Sequence, residues 1–246
     1  MFLQNKSYLC NTLVNFHSKI VKIDIMLSKY GLSNIIVMVL IATIMLILAI
    51  LLAKKLYISI PLFTCAFLLY VFTFWFFRDP DRTLPSEAVN DNSIIISPAD
   101  GVITEIVKEI EQHYLQDSSI RISIFLSPLD VHVNRIPISG SVEFYNYNPG
   151  KYIIANHPKA SELNEQSQIG VKTEYGKVFF KQIVGMVARR LVCELKVGDS
   201  VNVGDRFGMM KFGSRMDIAV SPNTKLYVNI GDRVTAGETI IAKLEK

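Results

Sequence analysis

Cysteine and histidine are both scarce in this chain of 246 residues, and each shortage limits its chemistry. The three cysteines, Cys10, Cys65 and Cys193, stand far apart, so they form neither a disulfide framework nor a zinc-binding spacing. This pattern fits a reducing compartment such as the cytoplasm, and we expect no metal. Only four histidines are available as general bases near neutral pH.

Net charge is also nearly absent from most of the chain. From Arg78 onward, 20 basic residues are balanced by 21 acidic ones, so the overall formal charge of +4 arises near the N-terminus. A chain with this distribution has no strongly basic domain, and we expect no nucleic-acid partner.

Two long apolar runs, at 35–53 and 56–77, dominate the N-terminal third. Each is long enough to cross ~30 Å of hydrocarbon as a helix. We therefore predict an N-terminal extension at 1–33 and a membrane anchor at 34–77, either as two spans or as a re-entrant hairpin. Two buried core helices are the alternative. Basic residues on both outer flanks of the anchor place the domain C-terminal to it on the cytoplasmic side of the cell (inner) membrane.

Residues 78–246 consist mostly of short alternating segments rich in β-branched and aromatic residues, which predicts a mainly β domain. One pattern is repeated: "VGDSVNVGDRFG" at 197–208 returns as "IGDRVTAGETII" at 230–241. Paired copies of this kind are typical of the hairpins in biotinyl and lipoyl carrier domains. The expected fold is a compact β-sandwich or barrel with quasi-twofold hairpins.

Three places combine reactive side chains with turn residues: Asp100 in "SPADG", His132 in "SPLDVHVNR" and Ser214 after Gly213. Asp, His and Ser from separate strand ends can form an activated-nucleophile triad. Each also has a structural interpretation, because Asp100 can shape a turn, an isolated strand histidine is usually structural, and Gly-Ser is common in loops. The Gly-X-Ser-X-Gly motif of lipid hydrolases is absent, since Met216 takes its last position.

The order of several motifs resembles that of phosphatidylserine decarboxylase proenzymes, in their short bacterial and archaeal form. The motifs lie between about Phe76 and the C-terminus and are "FFRDPDR", "SPADGVI", "FLSPLDVHVNR", "NPGKY", "KASELNEQ", "QIVGMVARR" and "FGSRMD".

The resemblance implies that the chain cuts itself between Gly213 and Ser214. Ser214 would become a covalent pyruvoyl group, so that a β chain (1–213) and an α chain (214–246) form a heterodimer, with a higher oligomer also open. The pyruvoyl group would form a Schiff base with phosphatidylserine in the membrane and release phosphatidylethanolamine and CO2. His132 would donate the proton to the carbanion, and Asp100 would complete the triad.

The sequence departs from longer family members at one position. They carry a second histidine where this chain has Arg135, and an arginine cannot act as a base near neutral pH. Arg135 would instead bind the phosphate or carboxylate of the substrate.

Two other functions stay open at this point. Lys211, close to the tip between the two repeats, could be the modified lysine of a biotinyl or lipoyl carrier module. Alternatively, Ser214, His132 and Asp100 could form a serine-dependent phospholipid hydrolase, which would leave the chain intact.

Overall fold

The computed structural model describes residues 27–150, 163–185, 191–211 and 214–245. Most of the predicted extension at 1–33 therefore lies outside the described residues. The helices are a 3-10 turn at Lys29–Gly31, α1 (Leu32–Leu51), α2 (Leu56–Phe76) and α3 (Ser86–Asn90).

The two long helices pair as a hairpin. Ser59 Oγ donates to the Ala49 carbonyl oxygen at 2.7 Å, and the hydroxyls of Thr43 and Tyr70 lie 2.6 Å apart. Both helices are long and apolar enough to cross a membrane, and only 17% and 11% of their most apolar windows are buried inside the protein. Core helices of a soluble protein would hide most of such a surface. The helices are therefore compatible with membrane association.

Strands make up most of the rest of the described chain. They are β1 (Ile94–Ile96), β2 (Gly101–Glu111), β3 (Asp117–Leu126), β4 (Val133–Arg135), β5 (Gly140–Asn148), β6 (Gln166–Thr173), β7 (Gly176–Val184), β8 (Leu191–Cys193), β9 (Ser200–Val201), β10 (Arg206–Met210), β11 (Ser214–Val220), β12 (Lys225–Leu226), β13 (Arg233–Val234) and β14 (Ile240–Lys243). The predicted mainly β, barrel-like fold behind N-terminal apolar helices is confirmed.

An eight-stranded curled sheet in the order β13-β2-β3-β11-β7-β6-β5-β9 forms the main layer. Two three-stranded sheets, β1-β14-β12 and β4-β10-β8, complete the domain. Strand β11 lies in the middle of the large sheet, where Ser214 pairs with Leu126 of β3 and with Val184 of β7. Side chains alternate along a strand, so Ser214 shares the inner face with the buried Met216 and Ile218.

The sequence repeat is also a structural repeat. Gly198 and Gly231 have φ angles of 96° and 97°, and Gly204 and Gly237 have φ angles of 85° and 78°. The left-handed conformation explains why glycine occupies these four positions. Each copy turns into a short strand, turns again and enters a second strand, as β9 and β10 in the first copy and β13 and β14 in the second.

The anchor is joined to the β domain by an apolar cluster. Its buried members come from both parts of the chain and are Tyr30, Ile35, Phe76, Phe77, Val131, Val133 and Met209. Backbone pairing between Leu27 and Arg78 closes the base of the helical hairpin. The end of α2 therefore has a fixed position beside the segment that carries His132.

Candidate active site

Ser214 is fully buried at the start of β11, and its Oγ has no hydrogen-bond partner among the described residues. A buried hydroxyl without a partner costs on the order of 1–3 kcal/mol, so packing alone does not account for it. The preceding Gly213, the other half of the predicted cleavage site, lies outside the described residues.

His132 is the second buried group with an unused polar atom. Its Nδ1 lies 2.9 Å from the Asp130 carbonyl oxygen, while its Nε2 has no partner among the described residues. A carbonyl oxygen only accepts, so Nδ1 carries the hydrogen and Nε2 carries the lone pair. The ring packs against Phe76, with centroids 4.5 Å apart. Burial lowers the pKa of His132 to about 4, and the neighbouring Asp130 opposes this only in part.

The fold brings His132 and Ser214 to the same end of β3. Leu126, the last residue of β3, pairs with Ser214, and the chain reaches His132 six residues later. From the other side, the backbone N–H of Met210, four residues before Ser214, donates to the His132 carbonyl oxygen at 3.2 Å. A neutral base and a buried hydroxyl thus occupy one end of the domain.

Asp100 has a different set of partners. Its Oδ2 accepts a hydrogen bond from Arg82 at 2.8 Å, and its Oδ1 accepts one from the Ala236 backbone N–H at 2.8 Å. Burial raises the pKa of Asp100. No hydrogen bond joins it to His132 or Ser214 within the described residues, so its place in a triad stays a prediction.

Asp130 is a residue of the site whose role the sequence did not reveal. Its carbonyl oxygen fixes the tautomer of His132, and its buried carboxylate accepts hydrogen bonds from the Ser127 backbone N–H and from Arg233. Strand alternation along "DVHVNR" puts Asp130 and His132 on one face, but nothing in the sequence points to Arg233. In the described part of the chain, no group of three His, Cys, Asp or Glu side chains could hold a metal ion.

Arg215, directly after Ser214, is a second residue near the site that the sequence analysis did not identify. Its side chain is 2% exposed on the opposite face of β11 and donates to Asp217, Ser123 and Glu105 at 2.6, 2.9 and 3.2 Å. The signal was present in "SRMD", because two charged residues two positions apart in a strand share one face. This network ties the strand that begins at Ser214 to its neighbour β3 and, one strand further, to β2.

Arg135 lies in a buried group of charges beside the first copy of the repeat. Its guanidinium donates to the carbonyl oxygens of Gly204 and Pro80 at 3.0 and 3.1 Å and lies 3.5 Å from the Asp79 carboxylate. The predicted binding of a lipid phosphate or carboxylate by Arg135 stays a prediction.

The structure gives no support to Lys211 as the modified lysine of a carrier. Carriers present that lysine at an exposed hairpin tip, whereas Lys211 is 5% exposed and donates to Asn34 Oδ1 of α1 at 2.6 Å.

The family profile and the curated relatives that match this chain all carry the same description. The family profile of phosphatidylserine decarboxylase matches residues 69–242. A phosphatidylserine decarboxylase proenzyme of Salinibacter ruber is 49% identical over 185 residues, which cover 75% of this chain and 81% of that protein. The proenzyme of Chlorobium phaeovibrioides is 41% identical over 219 residues, covering 89% and 97%. That of Chlorobium chlorochromatii is 42% identical over 221 residues, covering 89% and 100%. With the profile covering more than half of its length, this chain belongs to the phosphatidylserine decarboxylase family.

Proposed function

We infer that this chain converts phosphatidylserine to phosphatidylethanolamine and CO2, and that it first cuts itself between Gly213 and Ser214. Membership of the family carries the first statement. The observation that supports the second is the buried Ser214 hydroxyl without a partner among the described residues, at the same end of the domain as the unpartnered Nε2 of His132. Neither a carrier module nor a phospholipid hydrolase finds support among the relatives.

Self-cleavage begins when Ser214 Oγ attacks the carbonyl carbon of the preceding peptide bond and its proton passes to His132 Nε2. The peptide C–N bond breaks, the nitrogen takes that proton, and an ester remains. Removal of the Cα proton then breaks the Cβ–O bond, which releases residues 1–213 with a terminal carboxylate and leaves a dehydroalanine at 214. One water molecule adds, ammonia leaves, and residue 214 becomes a pyruvoyl group.

His132 suits the role of base because its imidazole is neutral at the pH of the cytoplasm. Burial keeps its pKa at about 4, and the Asp130 carbonyl oxygen leaves Nε2 as the free acceptor. Once Nε2 has gained a proton, the same burial favours its return, so His132 can both take and give a proton. This property also supports His132 as the donor to the substrate carbon after CO2 leaves.

Position 214 fits a pyruvoyl group. The Ser214 side chain is buried and Oγ has no partner within the described residues, so loss of the hydroxyl breaks no hydrogen bond of the described fold. When present, the group supplies an electrophilic carbonyl that binds the amine of the lipid and accepts the electron pair released with CO2. The chain's own groups bury this carbonyl, and His132 gives a proton only after its Nε2 has accepted one.

The two chains produced by the cut stay together as a heterodimer. Strand β11, the start of the chain 214–246, lies between β3 and β7 of the other chain and pairs with both. Arg215 adds charged hydrogen bonds to Ser123 and Glu105. Separation of the α chain would open the centre of the large sheet.

The two apolar helices support a site at the membrane surface, and the basic residues that flank them support a β domain in the cytoplasm. Next to the end of α2, Leu129 is 68% exposed and its carbonyl oxygen accepts hydrogen bonds from Trp75 and Arg78. The Arg78 guanidinium lies 4.2 Å from the centre of the Trp75 ring. Exposed Trp and Leu side chains beside a half-buried Arg are typical of the headgroup region, where phosphatidylserine presents its amine and carboxylate.

Intact mass spectrometry of the detergent-solubilised protein tests this function. We expect two chains, 1–213 and 214–246, the smaller with a pyruvoyl terminus that phosphatidylserine and cyanoborohydride convert to a stable lipid adduct. The Ser214→Ala variant should give one chain of full length without decarboxylase activity. A single unmodified chain from an active wild-type preparation would refute the proposal.

A further inference from the structure

We propose that Asn134 is a further catalytic residue, whose side-chain amide donates a hydrogen bond to the carbonyl oxygen that gains negative charge during the attack by Ser214. This inference rests on the proposed self-cleavage and adds a third group to the pair formed by Ser214 and His132.

The first observation is an unused donor in the interior. Asn134 is fully buried in β4, and its Nδ2 has no hydrogen-bond partner within the described residues. Leaving a buried donor unsatisfied costs on the order of 1–3 kcal/mol, and native proteins keep few such groups. A group that forms a hydrogen bond only during the reaction accounts for this cost.

The second observation fixes which atom is unused. Gln182 Nε2 donates to Asn134 Oδ1 at 2.8 Å and lies 3.4 Å from the Val192 carbonyl oxygen. Because a carbonyl oxygen only accepts, the Gln182 atom beside Val192 must be the nitrogen. The Asn134 atom that faces it is therefore the oxygen, which leaves Nδ2 as the free donor among the described residues.

The third observation places this donor on the side of Ser214. Val184 pairs with Ser214 and Gln182 pairs with Met216, so all four side chains lie on the inner face of the large sheet. Gln182 is thus the diagonal neighbour of Ser214, at roughly 7 Å by the usual geometry of antiparallel strands. Asn134, bound to Gln182, lies against this face.

The fourth observation concerns the surroundings of Asn134. It follows His132 by two residues, and alternation puts both on one side of the segment. Opposite Asn134 lies Gly208, where a Cβ atom would come within 2.1 Å of the Val192 carbonyl oxygen and 3.0 Å of Gln182 Nε2. The absence of a side chain at Gly208 leaves room for Gln182 to hold the amide.

The three unused atoms have complementary chemistry. His132 Nε2 accepts a proton, Ser214 Oγ gives one up and forms the new C–O bond, and Asn134 Nδ2 donates to the oxygen that receives the carbonyl electron pair. Loss of one such donor slows acyl transfer on the order of 100-fold or more.

A double-mutant experiment separates this role from a structural one. The wild type, Asn134→Leu, Gln182→Leu and the double variant are synthesised in a cell-free system with lipid nanodiscs, and the fragment 214–246 is followed over time by mass spectrometry. Asn146→Leu removes an exposed side-chain amide that has a partner, Gln168, and serves as the control. Thermal unfolding of each chain is recorded in parallel.

We expect Asn134→Leu and the double variant to cleave on the order of 100-fold more slowly than the wild type, and Asn146→Leu to cleave normally. If the only role of Asn134 is to accept the hydrogen bond from Gln182, then Asn134→Leu is slow only because Gln182 loses its partner. Replacing both residues by leucine would then restore the wild-type rate, and that result would overturn the proposal. Wild-type cleavage by Asn134→Leu alone would also overturn it.

Asn134→Asp provides a second test if the leucine variant does not fold. The carboxyl oxygen of the aspartate can still accept the hydrogen bond from Gln182 Nε2. Its cleavage should be slow at high pH and accelerate as the acid gains a proton and becomes a donor. A rate equal to the wild type at every pH contradicts the proposal. If the wild type itself does not cleave, the proposed function fails, not this assignment alone.

Discussion

The burial of His132 predicts a specific loss of stability in acid. Its pKa is about 4 in the folded protein, against ~6.5 for an exposed histidine. The folded pKa is the lower one, so below about pH 6.5 the unfolded chain binds a proton that the folded chain does not. The free energy of unfolding therefore has its full value, as far as His132 is concerned, above about pH 6.5. It decreases as the pH falls towards about 4. A difference of about 2.5 pKa units corresponds to a loss of about 3 kcal/mol.

The measurement compares two chains that cannot cleave, Ser214→Ala and Ser214→Ala/His132→Leu, by urea unfolding in detergent between about pH 7.5 and about pH 4. Carboxylates titrate in both chains, so the difference in their free energies of unfolding isolates His132. We expect the histidine chain to lose about 3 kcal/mol relative to the leucine chain over this range. A difference that does not change with pH, or one of opposite sign, would refute the argument from burial.

Two further predictions concern the surroundings of the site. Asp100→Ala removes the nearer of the two carboxylates of the half-buried Arg82, leaving Glu238 at 3.8 Å, and should lower the free energy of unfolding by about 1–2 kcal/mol in urea titrations, while Asp100→Asn should lower it less. If Asp100→Asn instead stops self-cleavage at unchanged stability, Asp100 acts in the triad. Leu129→Asp should reduce turnover on phosphatidylserine bilayers but not on short-chain monomeric phosphatidylserine, because it opposes contact with the membrane. The equally exposed Ile110, at the far end of β2, supplies the control Ile110→Asp, and equal losses in the two variants would contradict this assignment.

Predictions from local patterns agreed with the structure. The uncharged runs at 35–53 and 56–77 became α1 and α2 with ends shifted by at most three residues, because helix length and hydropathy are properties of a continuous segment. The Gly-Asp repeat identified two equivalent hairpins, since only glycine accepts the left-handed conformation at its turns without strain. The ordered motifs predicted the family, which the comparisons confirmed.

By itself, the sequence determined the two apolar helices, the repeated β hairpins, the family and the candidate residues Ser214 and His132. Only the tertiary structure decided which atoms those residues meet. The Asp130 carbonyl oxygen orients His132, Arg82 and Ala236 bind Asp100, and Gln182 holds Asn134 with one donor unused among the described residues. These partners lie up to 136 positions apart in the chain. Hydropathy and turn chemistry act between neighbours along the chain, whereas a hydrogen-bond partner in a sheet is chosen by strand order and register, which no local pattern specifies.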